Sequence, residues 1–564
     1  MNSRRATFLV IMVGLGFFTV VLRLVDLMIL EHDWLAQRAQ RQHVRSETVS
    51  AFRGTIYDVR MRELAVNRRV ESVYGVPKDI RDPAATAARL APALGVKKAF
   101  ITNRLSDQNR SFVWLARKVD ETTAKAVERL NLTPEVGFIP ETKRTYPKGK
   151  LASHVIGFVD IDNHGAEGIE RYFEDVLHGE SGRILKGRDA LGQSLSSGQQ
   201  DGQVGNDLVL TLDEDLQYIV EDALNEAVKR FEARAGVSVM MDPFTGRVLA
   251  MAVNPTFSPE DRARPERYRN RAVTDVYEPG STFKAVLAAA ALEERRVRAT
   301  DRFDCSEGSI EVGGRRIHDH KRHGKLTFEE IVQKSSNVGM VKVAQLLGEE
   351  TYYRYITAFG FGQKTGLTVP GEVNGLLKPP SEWSGSSIGA LAVGYEVAVT
   401  PVQLLNAYAA IANGGVLMRP YIVSELLDAE GRVVRRFEPQ AVRRVISERT
   451  SRILTEILET VVQDGGTAVN ASVLGNHVAG KTGTSRKVDP KTGRYSRTRY
   501  HSSFVGYVPS QNPRLVMVVV IDEPKGSIYG GDVAAPVFRK IAEHALIYLN
   551  IPKEDTGHVV LVSG

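Results

Sequence analysis

The hydrophobic pattern opens with one long apolar run, residues 8–30, FLVIMVGLGFFTVVLRLVDLMIL. Phe8–Leu22 is uninterrupted, and only Arg23 and Asp26 break the remainder. At about 1.5 Å per residue the run reaches membrane-spanning length. A signal peptide would have a shorter core and a small-residue cleavage site after it, and neither is present. Arg4 and Arg5 precede the run while Glu31 and Asp33 follow it, which predicts the N-terminus inside and the bulk of the chain outside. The expected start is therefore a cytoplasmic tail (1–7) and a single uncleaved transmembrane helix (8–30).

Beyond it the periodicity changes repeatedly. Residues 31–50 read as a polar, helix-prone stalk. Arg53-Gly54-Thr55-Ile56-Tyr57-Asp58 with Glu63-Leu64-Ala65 predicts a strand and hairpin, Gly54 permitting the bend. Residues 77–139 alternate helical pattern (PAATAARLAPAL, ETTAKAVERL) with short strands such as SFVWLARKV, and carry no nucleophilic cluster. A structural pedestal is the expectation. Turn-rich patches follow at Arg144–Gly149 and Gly165–Arg171, then a Gly/Ser/Gln/Asp-rich segment at 178–207. From Asp213 a helix is predicted, with Leu216, Ile219, Val220, Ala223 and Leu224 on its apolar face. This places a boundary near 205, giving a pedestal of 31–205, a second domain of 206–550 and a tail of 551–564.

In the second domain AGVSVMMDP turns at Phe244-Thr245-Gly246 into RVLAMAV, two strands at the centre of a sheet. Helices are predicted at 285–295, 327–347 and 401–413. Strands follow in VAGKTGTS, HSSFVGYVPS and RLVMVVVIDEP, then a helix around APVFRKIAEHALIYL. The order suggests an antiparallel sheet covered by helices. Neither a phosphate-binding Gly-x-x-x-x-Gly-Lys-Ser/Thr loop nor a dinucleotide fingerprint occurs.

Composition adds little. The 564 residues allow two or three domains, and the net charge of +7 is mild for that length. It suits an anionic envelope surface, and no arginine stripe or interleaved aromatics point to nucleic acid. The single cysteine, Cys305, forms no internal disulfide. His318-Asp319-His320 with His323 is the one histidine cluster, and its loop context lacks a helical metal-binding spacing. No metal or organic cofactor is expected.

The chemistry concentrates in three stretches. Glu278-Pro279-Gly280-Ser281-Thr282-Phe283-Lys284 reads as a tight turn, a serine at the mouth of a helix and a lysine one turn in. Positions i and i+3 share a face, so Lys284 Nζ can lie beside Ser281 Oγ. A buried lysine with a lowered pKa can serve as base for the serine; a capping serine with a snorkelling lysine is the bland reading. Ser335-Ser336-Asn337 lies between two apolar helical pieces, either as a cap or as a proton relay (Ser335) with an amide holding Lys284 and substrate (Asn337). Lys481-Thr482-Gly483-Thr484 follows an apolar lead-in, and Gly483 presents no side chain to a substrate backbone. Lys-Thr-Gly also occurs at Lys364 and Lys491, both best read as turns.

The ordered set Ser-x-x-Lys, Ser-x-Asn, Lys-Thr-Gly-Thr is that of penicillin-binding proteins and serine β-lactamases. With it, nearly the whole chain resembles the class B penicillin-binding proteins, peptidoglycan D,D-transpeptidases, and most resembles their cell-division (FtsI) branch. The matching stretches include Arg53–Asp58 with Leu64-Ala65, Arg144 with Tyr146–Gly149, and Gly165 with Gly168 and Glu170. Arg271–Asp275, Thr400-Pro401 with Gln403, Ala412–Gly415 and Ala534–Phe538 are also family-like. One departure is the run Asp58-Val59-Arg60, which lacks the Arg-Asn/Ser-Gly turn usual after this aspartate. The chain also stops soon after its last helix, without the appended repeats of some relatives.

The resemblance implies an elongated α+β pedestal and a C-terminal transpeptidase domain with a β-lactamase-like antiparallel sheet flanked by helices. It implies a serine-type D-Ala-D-Ala transpeptidase: Ser281 attacks the penultimate D-Ala of a stem peptide, Lys284 acts as base, and Lys481 keeps the Lys284 pKa down. Ser335 relays the proton, Asn337 holds Lys284 and substrate, and Thr482, Gly483 and Thr484 bind the terminal carboxylate and backbone. The backbone N–H groups of Ser281 and Thr484 form the oxyanion hole. Implied partners are peptidoglycan stem peptides, β-lactams as covalent inhibitors, and an FtsW-type glycan polymerase with other divisome membrane proteins. The implied location is the inner membrane at the division site, catalytic domain outside. The alternatives are an elongation-specific transpeptidase of the same class, a D,D-carboxypeptidase or a non-catalytic divisome scaffold.

Overall fold

A computed structural model describes residues 3–32, 44–49, 51–180, 182–188, 194–200, 202–261 and 263–554. Helix α1 (Ser3–Val25) continues into a wider turn over Asp26–Leu30. Thr7–Leu30 is the one helical stretch among the described residues long and apolar enough to cross a membrane. Its large apolar side chains, Phe8, Leu9, Ile11, Phe17 and Phe18 among them, are exposed, with Leu27 partly covered. Arg23 and Asp26, which interrupt the apolar run, pair with each other, and Arg23 also meets Glu31 at 3.7 Å. Pairing one turn apart lowers the cost of carrying both near a membrane. The chain is a single-pass membrane protein by this helix.

The rest divides into two compact units. The smaller holds residues 68–143 and 178–205 with the N-terminal segment. Its helix Pro83–Leu94 is N-capped by Asp82, whose carboxylate takes the Ala84 and Ala85 N–H groups at 3.0 Å, and Gly95 ends it. It packs a core of Val73, Leu90, Ile101, Leu105 and Leu115. The expected helical stalk is not borne out where it is described: Val44–Val49 is a strand, antiparallel to Gly182–Arg188. Val44, Thr48 and Val49 of this segment are β-branched, which favours pairing over helix. The remainder of that stalk, 33–43 and 50, lies outside the described residues.

The larger unit comprises 54–67, 144–177 and 206–564. Helix α2 (Glu214–Arg230) starts where expected, capped by Asp213, and buries Leu216, Val220, Ala223 and Leu224. A five-stranded antiparallel sheet forms from β1 (Ala235–Met241), β2 (Val248–Asn254), β3 (Ala479–Val488), β4 (Tyr495–Val508) and β5 (Leu515–Asp522). Its order is β2-β1-β5-β4-β3, so β3 is an edge strand. Every residue of β1 and β5 is buried, which requires cover on both faces. Helices α2 and α6 (Ala535–Tyr548) pack on each other and on the sheet, and α5 (Pro401–Ala412) also packs on it. Between β2 and α5 lie α3 (Lys284–Glu293) and α4 (Asn337–Leu347). Helix α5 opens on a capping box, Thr400 Oγ1 accepting from Gln403 N and Gln403 Oε1 from Thr400 N.

The family-like segments before residue 178 fold into this unit. A Cβ on Gly54 would fall 1.9 Å from Asn206 O, so the bend there is a close backbone approach. Buried Arg144 donates to Glu170 at 2.6 Å, with Tyr146 OH beside the same carboxylate. The Asp58 carboxylate accepts from Arg60 N, Arg62 N, Arg62 Nε and Glu214 N, tying this turn to the start of α2. Here the turn departs from the family pattern: Met61, not glycine, takes the left-handed conformation at φ 61°. Its side chain is half exposed, so little packing offsets the strain. Met61→Gly is expected to stabilise the unit by about 0.5–1 kcal/mol, read as a higher thermal or urea midpoint.

Candidate active site

Gly280–Phe283 forms a short 3₁₀ turn, and the Lys284 N–H donates to Ser281 O as α3 begins. The i, i+3 relation expected from the sequence is thus built by a 3₁₀ turn, in which such positions eclipse. The turn is fixed from behind. Phe283 packs edge-to-face on Phe361 at 5.0 Å, Tyr408 OH of α5 donates to Thr282 O at 2.8 Å, and Thr282 Oγ1 donates to Pro279 O. Ser281 is half-buried while Lys284 is wholly buried.

Lys284 Nζ makes three hydrogen bonds: to Ser335 O (2.7 Å), Ser335 Oγ (3.2 Å) and Asn337 Oδ1 (2.7 Å). None of these goes to Ser281. They bring the first and second stretches together across more than fifty residues. The helical stretch expected over 327–347 breaks at these residues, between the two apolar pieces the sequence showed: Phe328–Gln333 ends, Ser335 turns left-handed at φ 60°, and α4 restarts at Asn337. The break lets one residue offer both its carbonyl and its hydroxyl to the same ammonium. A β-region Ser336 then caps α4, its Oγ accepting from Gly339 N.

Asp319 organises this second stretch, and sequence reasoning passed over it as part of a histidine loop. Its carboxylate accepts from Asn337 N, Val338 N (3.1 Å) and Ser336 Oγ (2.8 Å). His318 O takes the Asn337 Nδ2–H at 2.7 Å, turning Oδ1 toward Lys284. The pattern had no local signal, because the partners meet only through the tertiary fold.

The third stretch lies on the edge strand β3. Thr482 Oγ1 bonds Thr467 Oγ1 at 2.9 Å, and Thr484 Oγ1 accepts from Gly530 N at 3.1 Å. Gly483 is needed for close approach: a Cβ there would lie 2.4 Å from Ser503 Oγ, 2.8 Å from Pro279 O and 3.0 Å from Thr282 Cγ2. The Gly280–Phe283 turn and β3 therefore touch, and a Cβ on Gly280 would meet Thr484 O at 3.2 Å. The site is an open edge; the 350 Å³ cavity lined by Arg234, Arg271, Lys487, His501 and Asp522 includes none of its residues. The other two Lys-Thr-Gly copies behave as turns, Thr365 N and Gly366 N bonding the Glu372 carboxylate and Gly493 N bonding Asp489 O.

Burial lowers the Lys284 pKa to about 7, with the Asp319 carboxylate pulling the other way. Lys481 is also wholly buried, and its amine makes no hydrogen bond. Burial first, then repulsion from Lys284, depress it well below the usual lysine range. Two ammonium groups so close and dry do not both keep their protons. A poised amine bonded to the Ser335 hydroxyl and one 3₁₀ turn from Ser281, against an edge strand, equips the site for acyl transfer through a serine ester.

Comparison with known proteins puts a name to this class of site. Residues 236–543 match the family model "Penicillin binding protein transpeptidase domain", and residues 48–210 match "Penicillin-binding Protein dimerisation domain". The chain is similar to the probable peptidoglycan D,D-transpeptidase PenA of Neisseria meningitidis, 34% identical over 98% of this chain and 94% of that protein. It is 36% identical to stage V sporulation protein D of Bacillus subtilis (97% and 86% covered) and 34% to peptidoglycan D,D-transpeptidase FtsI of Escherichia coli (94% and 89%). Among solved structures, penicillin-binding protein 3 of Mycobacterium tuberculosis complexed with aztreonam superposes with a TM-score of 0.71 at 30% identity, covering 90% of this chain and 98% of that one.

The chain belongs to the penicillin-binding protein transpeptidases. Within them it is a class B penicillin-binding protein of the FtsI type, a serine-type D,D-transpeptidase acting on peptidoglycan stem peptides. The contact across Gly483 generates a test. Gly483→Ala is expected to force the turn off β3 and slow labelling by a fluorescent penicillin roughly a hundredfold, with the melting temperature as control for folding.

Proposed function

We propose that this protein crosslinks stem peptides during septal wall synthesis, with Ser281 as nucleophile. Ser281 Oγ attacks the penultimate D-Ala carbonyl, the bond to the terminal D-Ala breaks, and that D-Ala leaves with a proton. A neighbouring stem's amine then takes the acyl group and frees the serine. Lys284, its pKa lowered to about 7, accepts the Ser281 proton in its neutral form. Ser335, on the same ammonium, carries a proton toward the leaving amine, and Asn337 holds Lys284 and the substrate amide. Lys481 sets the charge of the pair, and Thr482 and Thr484 hold the terminal carboxylate beside Gly483. The N–H groups of Ser281 and Thr484 take the developing oxyanion.

The observation carrying this reading is the burial of Lys284 against Ser335 and Asn337, one 3₁₀ turn from Ser281. β-Lactams are expected to acylate Ser281. The N-terminus lies inside and the transpeptidase outside the inner membrane, at the division site, beside an FtsW-type glycan polymerase and other divisome proteins. The FtsI relative and the positive N-terminal flank of α1 support that placement.

Ser281→Ala should abolish covalent labelling by penicillin, and cells depleted of the protein should filament and be rescued by wild type but not by this variant. Labelling that survives the substitution would sink the nucleophile assignment; rounding or bulging cells would move the role to elongation. The rate of acylation should rise with pH through a midpoint near 7, because the reactive amine is the deprotonated one. Asp319→Asn removes the anion that holds the Lys284 pKa up, so the midpoint should move to lower pH. An unchanged profile in this variant contradicts the role given to Lys284.

A further inference from the structure

The β3–β4 hairpin outruns its sheet. The last β4–β5 pair is His501 with Asp522, while β3 and β4 continue through Arg486–Tyr500 to Val488–Tyr495. Beyond Ser485 the hairpin is therefore two-stranded, a form of marginal stability by itself. Yet its base carries Thr482, Gly483 and Thr484, so its sway would be felt at the serine.

On the β5 side Lys487 holds it, bonding Asp522 and Glu523, and Glu523 N donates to Tyr500 O. Toward the Gly280–Phe283 turn one side chain fastens it. Glu278, three residues before Ser281, directs Oε1 at two donors, Tyr495 OH and Glu396 N, each at 2.9 Å. Among the described residues no other side-chain hydrogen bond joins 486–500 to 275–284. Glu396 stands left-handed at φ 59°, and its carboxylate meets Arg315 at 3.2 Å. Tyr395 packs edge-on against the Tyr495 ring at 5.4 Å. The segment presenting Glu396 is itself paired with the nucleophile lead-in: Tyr277 and Val399 exchange both backbone hydrogen bonds, and Gly280 N donates to Gly394 O. A residue held in an uncommon conformation to aim one N–H indicates a constraint that the surroundings enforce.

We propose that Glu278 is a positioning residue: through one carboxylate oxygen it clamps the hairpin tip to the nucleophile turn and holds β3 at working distance from Ser281. Glu278 touches no reacting atom in this scheme. The proposal rests on Ser281 being the nucleophile.

The test is stopped-flow acylation of the full-length protein by a fluorescent penicillin, resolved into a binding constant and an acylation rate constant. Tyr495→Phe removes only the hydroxyl and should lower the acylation constant roughly tenfold, the scale of one hydrogen bond to a charged group, with binding little changed. Glu278→Ala should lose at least as much, while Glu278→Gln, which keeps an acceptor oxygen, should restore most of the rate. Glu278→Ala combined with Tyr495→Phe should be no slower than Glu278→Ala alone, because both break one contact. A wild-type rate in Tyr495→Phe, multiplying losses in the double variant, or no recovery in Glu278→Gln would overturn the clamp. Ser281→Ala labelled alongside keeps the two readings apart: persistent labelling removes the nucleophile, whereas a silent Ser281→Ala with an unaffected Tyr495→Phe removes only the clamp.

Discussion

A lysine amine taken wholly out of water is the constraint on which the site depends. Burying an ammonium without a paired anion is so costly that the group loses its proton instead. Lys284 sits at that balance. Its donors are met by neutral oxygens from Ser335 and Asn337, which orient the amine without pinning its charge. The Asp319 carboxylate stops short of a direct pair and spends itself on the N-terminus of α4. Repulsion from Lys284 helps depress Lys481, dry and without a hydrogen bond, whereas burial is what lowers Lys284. A direct salt bridge would have given a stable lysine and a poor base.

That arrangement imposes demands outward. Ser335 gives up a helical conformation, which breaks what would otherwise be one long helix. The turn that carries Ser281 is pressed against β3, which only glycine at 483 permits. The turn in its backing is wedged by Phe361 and Tyr408. Sheet and helices serve to keep a few atoms at fixed spacing, and their own regularity yields where the site needs it.

Much of this was legible in the sequence, and the reason differs between elements. The membrane helix, α2, the β1–β2 hairpin and β5 are set by local pattern and lie where periodicity put them. β3 and β4 do so at their bases, but run on to Val488 and back to Tyr495 through a stretch whose polar sequence read as loop. The site motifs were readable because their order restricts the chemistry far more than each alone, as the three Lys-Thr-Gly copies demonstrate. Non-local contacts were not readable. Asp319 gains its purpose from helix α4, Glu278 from Tyr495, and Met61 from a turn whose usual glycine is missing. The strand at Val44–Val49 depends on Gly182–Arg188, a partner far along the chain, so its own polar character misdirected the reading toward helix.

β3 lies at the margin of its sheet, with one flank unpaired along its length. An enclosed pocket accepts only what can enter end-first. A margin accepts a peptide from the side, at any point along a polymer too long and too branched to be threaded. The wall that such a protein serves is a continuous mesh whose short stems branch from long glycan strands, so on the proposed reading sideways access admits the carboxyl end of one stem without any end of its glycan strand nearby.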